Sequence, residues 1–246
     1  MADDSLSALV QGVRLLSLDA GNTVIFLDHA RLARVAARHG LTTDASTLIR
    51  TEGAAKRRHA MNDMIDVAWS KREAPGARGW GAMLATMVCE AGLPVDEAAA
   101  FLDDAWTEHC AKNFWCLVPE GFGQAIERAR ARGIKVVLVS NSEGMLAELF
   151  TELGIVQHFD VLLDSGKIGL EKPDPRFFQI ALDRFATPPD AALHLGDIYS
   201  TDIVGAHAAG MRAALIDPHG HYEGMFLDVP RAPGVVEIAE ALARSV

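Results

Sequence analysis

The 246-residue sequence contains only three cysteines, and their spacing matches no redox or metal motif. Cys89, Cys110 and Cys116 are odd in number and form no C-x-x-C pair, so neither a disulfide framework nor a structural zinc site is indicated. This cysteine usage fits a reducing compartment, and we expect a cytoplasmic protein. The 10 prolines, 50% hydrophobic residues and 23% charged residues are ordinary for a globular chain, which excludes a disordered or collagen-like protein.

Basic residues are also scarce relative to acidic ones. There are 23 Lys and Arg against 33 Asp and Glu, which gives a formal net charge of −10. Such an acidic balance repels a phosphate backbone, so we expect neither nucleic acid nor anionic membranes as partners. No stretch of about 18 uninterrupted apolar residues occurs, and residues 1–12 lack the basic-then-apolar order of a signal peptide. The sequence therefore predicts a protein that is neither exported nor membrane-spanning.

Short apolar runs alternate with amphipathic segments through the second half of the sequence. The runs have the composition of buried β-strands and cover residues 136–139, 161–163, 193–195 and 213–216. Segments with helical spacing lie between them, and a further run at 13–18 stands alone near the start. This order predicts an α/β fold, a Rossmann-like, doubly wound parallel sheet with helices on both faces.

Residues 30–113 have a different pattern, with Ala, Arg, Leu and Met at helical spacing and chain breakers at Gly40, Pro75-Gly76 and Gly92 to Pro94. This pattern predicts roughly four helices that are looped out of the sheet. We therefore predict a core formed by 12–29 and 114–246, with an all-helical inserted domain at 30–113. The tryptophans are expected to pack within the insertion or where it contacts the core: Trp69, Trp80, Trp106 and Trp115.

Two apolar runs are followed directly by polar residues, where parallel sheets gather their ligands. Asp19 follows the run 13–18; a carboxylate there suits a covalent nucleophile or a magnesium ligand, or alternatively a turn former. Gly21 lets the backbone turn closely around a bound ion. Ser140 and Asn141 stand directly before a predicted helix, where they form either an anion cradle with the free N–H groups of the helix start or an N-cap.

Two later segments offer charged groups of opposite sign. Lys172 is followed by proline, which holds it extended; its ammonium either neutralises crowded anions or is an exposed loop lysine. Asp197 follows the run 193–195, and Asp202 lies five residues further on. This pair is suited to hold a divalent cation, directly and through water, with helix capping as the alternative for Asp202.

The order of these residues resembles the haloacid dehalogenase-like hydrolase superfamily. Its four motifs match DAGNT at 19–23, Ser140-Asn141, Lys172-Pro173 and GDIYSTD at 196–202, and one large subgroup inserts a helical cap between the first two motifs. The resemblance implies a magnesium-dependent hydrolase of small phosphorylated metabolites. In it, Asp19 attacks phosphorus and gives an aspartyl-phosphate. Ser140, Asn141 and Lys172 bind the phosphoryl group, and Asp19, the Gly21 carbonyl, Asp197 and Asp202 hold or support Mg²⁺.

Gly21 departs from the usual phosphatase motif, D-x-D-x-T, whose second Asp protonates the leaving group. Asp28 or His29 is a candidate substitute, although Asp28 is equally an N-cap for the helix that follows. The same departure keeps a second hypothesis open, a weak or inactive member that binds a phosphorylated ligand or a protein partner. Oligomeric state has no readable signal in the sequence.

Two other branches of the superfamily also lack the second Asp. Dehalogenases lack the carboxylate that Asp197 supplies here, and phosphonate-cleaving members use a cap lysine, for which Lys56 or Lys71 is the candidate. The basic stretch 56–59 either reaches over the site and binds an anionic substrate tail or forms a solvated helix face, which the sequence favours. His219 and His221 are expected on a surface loop, and His194 in the core.

Overall fold

The structure, a computed structural model, describes residues 2–245. The described chain separates into two compact units. The sheet unit contains the residues up to Phe26, Val118–Pro218 and the residues from Phe226 onward, and the helical unit contains Leu27–Leu117 and His219–Met225. Within residues 2–245, no helix is both long enough and apolar enough to cross a bilayer.

The chain forms eleven α-helices and eight strands within the described residues. The helices are α1 (Ala2–Val10), α2 (His29–Arg38), α3 (Ala45–Ala60), α4 (Ala77–Glu90), α5 (Ala98–Ala111), α6 (Phe122–Ala131), α7 (Leu146–Glu152), α8 (Ser165–Ile168), α9 (Pro175–Arg184), α10 (Val204–Ala208) and α11 (Val235–Arg244). The strands are β1 (Leu15–Leu18), β2 (Phe26–Leu27), β3 (Trp115–Leu117), β4 (Lys135–Ser140), β5 (Val161–Asp164), β6 (Ala192–Gly196), β7 (Arg212–Ile216) and β8 (Arg231–Ala232). A π-helical turn, Tyr199–Ile203, precedes α10.

The sheet unit is built on six parallel strands in the order β5-β4-β1-β6-β7-β8. The central strands β1 and β6 are buried at every residue, because helices cover both faces of the sheet. The predicted α/β fold with a parallel sheet is confirmed, and the apolar runs 136–139, 161–163, 193–195 and 213–216 all lie in strands. The two-residue strand β8 was not predicted, since so short a segment has no readable periodicity.

The helical unit contains α2 to α5, in agreement with the four helices that the spacing predicts. Their apolar faces form one core cluster that includes Leu32, Leu84 and Phe101. Trp80 packs edge-on against Trp106 with ring centroids 5.0 Å apart. The predicted packing role of the tryptophans therefore agrees with their contacts.

The segment His219–Met225 belongs to the helical unit although it follows β7 in the chain. The Arg57 guanidinium donates a hydrogen bond to the backbone oxygen of His221 at 2.6 Å. His219 is exposed, but His221 is only 6% exposed, so the prediction of a surface loop is wrong for His221. The reason is that α3 covers its ring: a methyl group at Gly53 would come within 2.7 Å of it.

Candidate active site

Polar segments leave three neighbouring strands at one edge of the sheet. β1 lies between β4 and β6, and its last residue is in register with Leu138 of β4 and Leu195 of β6. Because these strands are parallel, Asp19, Ser140 and Asp197 all emerge at their carboxyl ends. The sequence-predicted residues of the first, second and fourth motifs are thus brought to one edge.

Lys172 lies between two carboxylates of this edge. Its Nζ atom donates to Oδ1 of Asp19 at 2.5 Å and to Oδ1 of Asp202 at 2.6 Å. All three residues are buried, and Lys172 is 4% exposed, so it is not an exposed loop lysine. Burial alone opposes the charge on Lys172, but Asp19 and Asp202 outweigh it and raise the pKa of the ammonium above its usual value. The side chain is therefore a fixed cation at neutral pH.

Asn141 fixes the backbone that carries this cation. Its Oδ1 atom accepts from the Lys172 backbone N–H at 2.8 Å, and its Nδ2 atom donates to the Lys172 carbonyl at 3.0 Å. The amide predicted to bind substrate is thus engaged with the protein backbone, and in the structure it positions Lys172.

A group of three carboxylates occupies the same place. Asp19, Asp197 and Asp202 are all buried and each offers an oxygen within 4.8 Å of the others. Burial raises the pKa of Asp19 to about 6; Lys172 opposes this rise, and the negative charges of Asp202 and Asp197 add to it. A single ammonium cannot neutralise three carboxylates. Hard oxygen donors with an excess of negative charge are the donor set that Mg²⁺ requires, so these residues fit a magnesium ion.

Asp202 is held against the end of β6 by its Oδ2 atom, which accepts from the Ile198 backbone N–H at 2.8 Å. A methyl group on Gly196 would lie 2.2 Å from Cγ of Asp202, so the approach requires glycine at that position. Burial opposes ionisation of Asp202, but Lys172 outweighs it and lowers the pKa of this carboxyl below its ordinary value. The Asp202 side chain therefore accepts a hydrogen bond from the Ile198 N–H and bears a negative charge in the site, while its role at a cation stays a prediction.

The helix expected directly after Ser140 begins later than predicted. Ser140 is the buried last residue of β4, but α7 begins only at Leu146. The Leu146 N–H donates to Oδ2 of Asp164 at 3.1 Å. The prediction of free helix N–H groups directly beside Ser140 is therefore wrong, because a loop intervenes and this N–H has an acceptor.

Asp164 is a positioning residue that the sequence analysis missed. Its Oδ1 atom accepts from the Ser142 hydroxyl at 2.6 Å and from the Gly166 N–H at 3.0 Å, in addition to the bond from Leu146 to Oδ2. The carboxylate thereby joins the loop 141–145 to the end of β5. The signal was present in the sequence, since Asp164 follows the apolar run 161–163 as Asp19 follows 13–18.

The turn after Asp19 offers no second carboxylate. Asn22 has a φ of +52° and donates its backbone N–H to the Ile25 carbonyl at 2.6 Å. This bond closes a tight turn, and Gly21, which has no side chain, offers the site only its backbone groups.

The two candidate substitutes for the missing carboxylate have partners in the helical unit. Asp28 is the N-cap of α2, and its Oδ1 atom accepts from the Arg31 N–H at 2.9 Å, as the capping alternative predicts. His29 bonds through Nε2 to Oε2 of Glu52 at 2.7 Å.

Lys56 is buried as part of the same network. It is 4% exposed and lies 3.0 Å from Oε1 of Glu52, so the prediction of a solvated face is wrong at this residue. Burial opposes ionisation of Glu52, but Lys56 and His29 outweigh it and hold the pKa of the carboxyl at about 2. The other candidate lysine, Lys71, is exposed.

Comparison with known proteins identifies the family to which this arrangement belongs. Residues 47–210 match the family described as haloacid dehalogenase-like hydrolase. The chain belongs to this hydrolase family. It is 31% identical over 210 residues to haloacid dehalogenase-like hydrolase domain-containing protein 3 of Mus musculus, an alignment that covers 83% of this chain and 82% of the relative.

A second relative of this haloacid dehalogenase-like hydrolase is named for its substrate. The chain is 30% identical over 161 residues to a phosphoserine phosphatase of Thermus thermophilus, which covers 62% of this chain and 64% of the relative. Among solved structures, a putative hydrolase of the same family from Bacillus subtilis, bound to magnesium, has a TM-score of 0.63 at 16% identity, with coverage of 94% of this chain and 98% of that chain. At that identity the likeness concerns the fold.

Proposed function

We propose that this hydrolase removes phosphate from small phosphorylated molecules in a magnesium-dependent reaction that passes through an aspartyl-phosphate on Asp19. The observation that carries the proposal is the buried bridge from Asp19 to Asp202 through the ammonium of Lys172. Charges this costly to bury are expected where chemistry needs them. Relatives named as phosphatases, such as the one from Thermus thermophilus, support the same reaction class.

The reaction begins with attack of an Asp19 carboxylate oxygen on phosphorus, which forms the acyl-phosphate bond and breaks the ester P–O bond. The leaving oxygen departs as the alkoxide or aryloxide and takes its proton from water. A carboxylate that approaches a phosphate is repelled unless positive charge lies between them. Lys172 supplies that charge, and the bonds from Asn141 keep its backbone in place. Ser140 is proposed to donate a hydrogen bond from its hydroxyl to a phosphoryl oxygen. Water then cleaves the acyl-phosphate and regenerates Asp19.

Magnesium would be held by the side chains of Asp19 and Asp197 and by the Gly21 carbonyl, with Asp202 supporting the site. When bound, the ion polarises the phosphoryl group and offsets its negative charge. The excess of carboxylates over ammonium groups supports this assignment. Asp197 also distinguishes the proposal from dehalogenation, which needs no such metal ligand.

The absence of an acid at Gly21 lowers the expected rate for substrates with poor leaving groups. General acid–base help is typically worth about 10²–10⁴ in rate, so its loss weakens a phosphatase without abolishing it. Aryl and acyl phosphates, whose leaving groups need little protonation, are the substrates we expect to be cleaved best. The bonds of Asp28 to Arg31 and of His29 to Glu52 do not support either residue as the substitute acid.

Gly21 also favours a second candidate function, in which the same site binds a phosphorylated ligand with little or no turnover. A phosphonate-cleaving role has less support. It requires a free amine to form a Schiff base, whereas Lys56 is ion-paired with Glu52 and Lys71 is exposed. In each case the helical unit is proposed to serve as the cap domain that selects the small molecule.

The test is hydrolysis of an aryl phosphate with and without Mg²⁺. We expect metal-dependent turnover that Asp19→Asn removes, whereas Asp190→Asn, a matched change at an exposed residue of the sheet unit, keeps the parent rate. Gly21→Asp is expected to raise the rate if proton donation limits the parent. Turnover that survives Asp19→Asn contradicts the proposal, and tight binding of orthovanadate without turnover favours the second candidate.

A further inference from the structure

One buried titratable side chain in the sheet unit has no role in the mechanism above. His194 lies in the middle of β6 and is 0% exposed, as expected for a core residue. Both ring nitrogens nevertheless face polar groups. Nδ1 lies 2.9 Å from the hydroxyl oxygen of Ser17, and Nε2 lies 3.5 Å from Oδ1 of Asp202.

The two contacts together determine which nitrogen bears a proton. If Nε2 had only its lone pair, that lone pair would face the negative Oδ1 atom of Asp202 and repel it. With a proton on Nε2 the contact is attractive, whether the ring is neutral or charged, and at 3.5 Å it acts as a charge–dipole attraction. In the neutral ring with its proton on Nε2, Nδ1 has only a lone pair, so the Ser17 hydroxyl donates to it and fixes the ring orientation.

The strand positions make this orientation specific. Ser17 and His194 are register partners on β1 and β6, so the pair forms between two strands whose ends carry Asp19 and Asp197. The ring of Phe178 packs edge-on against the imidazole, with centroids 4.9 Å apart. This packing opposes rotation of the imidazole away from Asp202.

We propose that His194 is a positioning residue whose Nε2–H holds the Asp202 carboxylate in place, so that Asp202 can in turn hold the ammonium of Lys172 against Asp19. The path from the hydroxyl of Ser17 through His194 to Asp202 and Lys172 ends at the proposed nucleophile. His194 contacts neither substrate nor metal in this role. The expected effect of His194 on turnover rests on the proposed function. Its expected effect on the position of the Asp202 carboxylate does not.

Three variants separate positioning from packing. His194→Leu removes the N–H donor, whereas His194→Gln keeps an N–H where Nε2 lies. His194→Leu also leaves the buried Ser17 hydroxyl without its partner, which can destabilise the fold. The double variant Ser17→Ala with His194→Leu removes that hydroxyl as well. Leu193→Val on the same strand is the control, because its side chain lies on the opposite face of the sheet.

We expect His194→Leu to lower kcat for an aryl phosphate by about 10- to 100-fold and to raise the Mg²⁺ concentration needed for half-maximal rate, as is typical when a group behind a ligand is lost. KM is expected to change little. His194→Gln is expected to recover most of the rate, and Leu193→Val to keep kcat while losing some stability. If kcat is unchanged in both His194→Leu and the double variant Ser17→Ala with His194→Leu, the proposal is overturned.

Two measurements need no activity. Long-range ¹H–¹⁵N spectra of the parent are expected to show His194 protonated at Nε2, with the signal assigned by its loss in His194→Gln; protonation at Nδ1 alone overturns the proposal. A crystal structure of His194→Leu is expected to show the Asp202 carboxylate rotated away from Lys172, and an unmoved carboxylate overturns it. If the parent lacks turnover, the proposed function fails while these two results still decide the role of His194.

Discussion

Lys172 and Asp202 form an ion pair in which Nζ lies 2.6 Å from Oδ1 and the two side chains are 2% and 1% exposed. Such a pair gains little net stability, because desolvation offsets its attraction, but removal of one partner leaves an uncompensated buried charge. Removal of Lys172 is expected to destabilise the protein more than removal of one partner of a simple pair, because Asp19 is paired with the same ammonium. Lys172 is therefore expected to govern both stability and turnover.

Lys172→Met is expected to abolish turnover and to destabilise the protein in metal-free buffer by about 3–5 kcal/mol, because two buried carboxylates lose their partner. Added Mg²⁺ is expected to raise the melting temperature of the variant more than that of the parent, since a divalent cation replaces the missing positive charge. Thermal unfolding with and without Mg²⁺ measures both effects. Lys135→Met, at an exposed lysine of β4, is the control. If Mg²⁺ raises the melting temperatures of parent and variant equally, the proposal that Asp19, Asp197 and Asp202 form the magnesium site is contradicted.

Gly196→Ala and Gly79→Ala are expected to have effects of opposite sign. A methyl group at Gly196 would lie 2.2 Å from Cγ of Asp202, so the carboxylate must move and both stability and turnover fall. At Gly79, in α4, nothing lies within 4 Å, and alanine is expected to stabilise the helix by up to about 1 kcal/mol. Urea unfolding and aryl phosphate turnover of the two variants test this; equal behaviour would show that Asp202 does not need the space beside Gly196.

The sequence predicts those parts of the site that depend on strand ends. Apolar runs fix where β1 and β6 stop, and Asp19 and Asp197 follow them directly, so their presence at one sheet edge follows from the parallel topology. The network of bonds behind them is not predictable in this way. Asn141 bonds the backbone of Lys172 across 31 residues, and no local pattern encodes that pairing.

The sequence does not predict which charged or titratable side chains of the helical unit are buried. Lys56 lies in a basic stretch that resembles a solvated helix face, but its burial depends on Glu52 one turn earlier and on His29 from another helix. His221 is buried because a loop returns to α3, again through a contact distant in sequence. Local composition cannot report either event, since both arise from tertiary packing.

Glu52→Gln is expected to destabilise the protein in a pH-dependent manner. The pKa of Glu52 is about 2 in the folded protein, below the value near 4.5 that it has when exposed, so its charge stabilises the fold above about pH 4.5. This contribution, about 3 kcal/mol, is lost between about pH 4.5 and pH 2, because the carboxyl of the unfolded chain takes up a proton there while that of the folded protein stays ionised. The difference in unfolding free energy between parent and variant is thus largest at pH 7 and falls steeply toward pH 2.

Urea unfolding at several pH values between 2.5 and 7 measures this difference. Glu73→Gln, at an exposed glutamate of the helical unit, is the control and is expected to show a small difference at every pH. A difference between parent and Glu52→Gln that stays constant with pH would mean that Glu52 acts by packing rather than by its pairing with Lys56 and His29.

Asp164→Ala is expected to weaken substrate binding without removing any proposed catalytic group. The carboxylate accepts bonds from the Ser142 hydroxyl in the loop 141–145 and from the Leu146 N–H directly after it, besides one from Gly166 in α8. The loop held in this way carries Asn141, which positions Lys172. Loss of the carboxylate leaves several donors unsatisfied, so we expect a stability loss of at least about 2 kcal/mol and a clear rise in KM for the aryl phosphate. Ser142→Ala, which removes one of the three bonds, is expected to have a smaller effect on both.

The matched control for this loop is Asp160→Ala. Asp160 precedes β5 at its opposite end and accepts a hydrogen bond from the Val136 N–H at 2.9 Å, so it resembles Asp164 in bonding but lies away from the site. Its loss is expected to lower stability while KM stays at the parent value, because no site loop depends on it. Steady-state kinetics of the two aspartate variants, measured well below their melting temperatures, separate the effects. An equal KM in both would show that Asp164 stabilises the sheet unit without ordering the loop that carries Asn141.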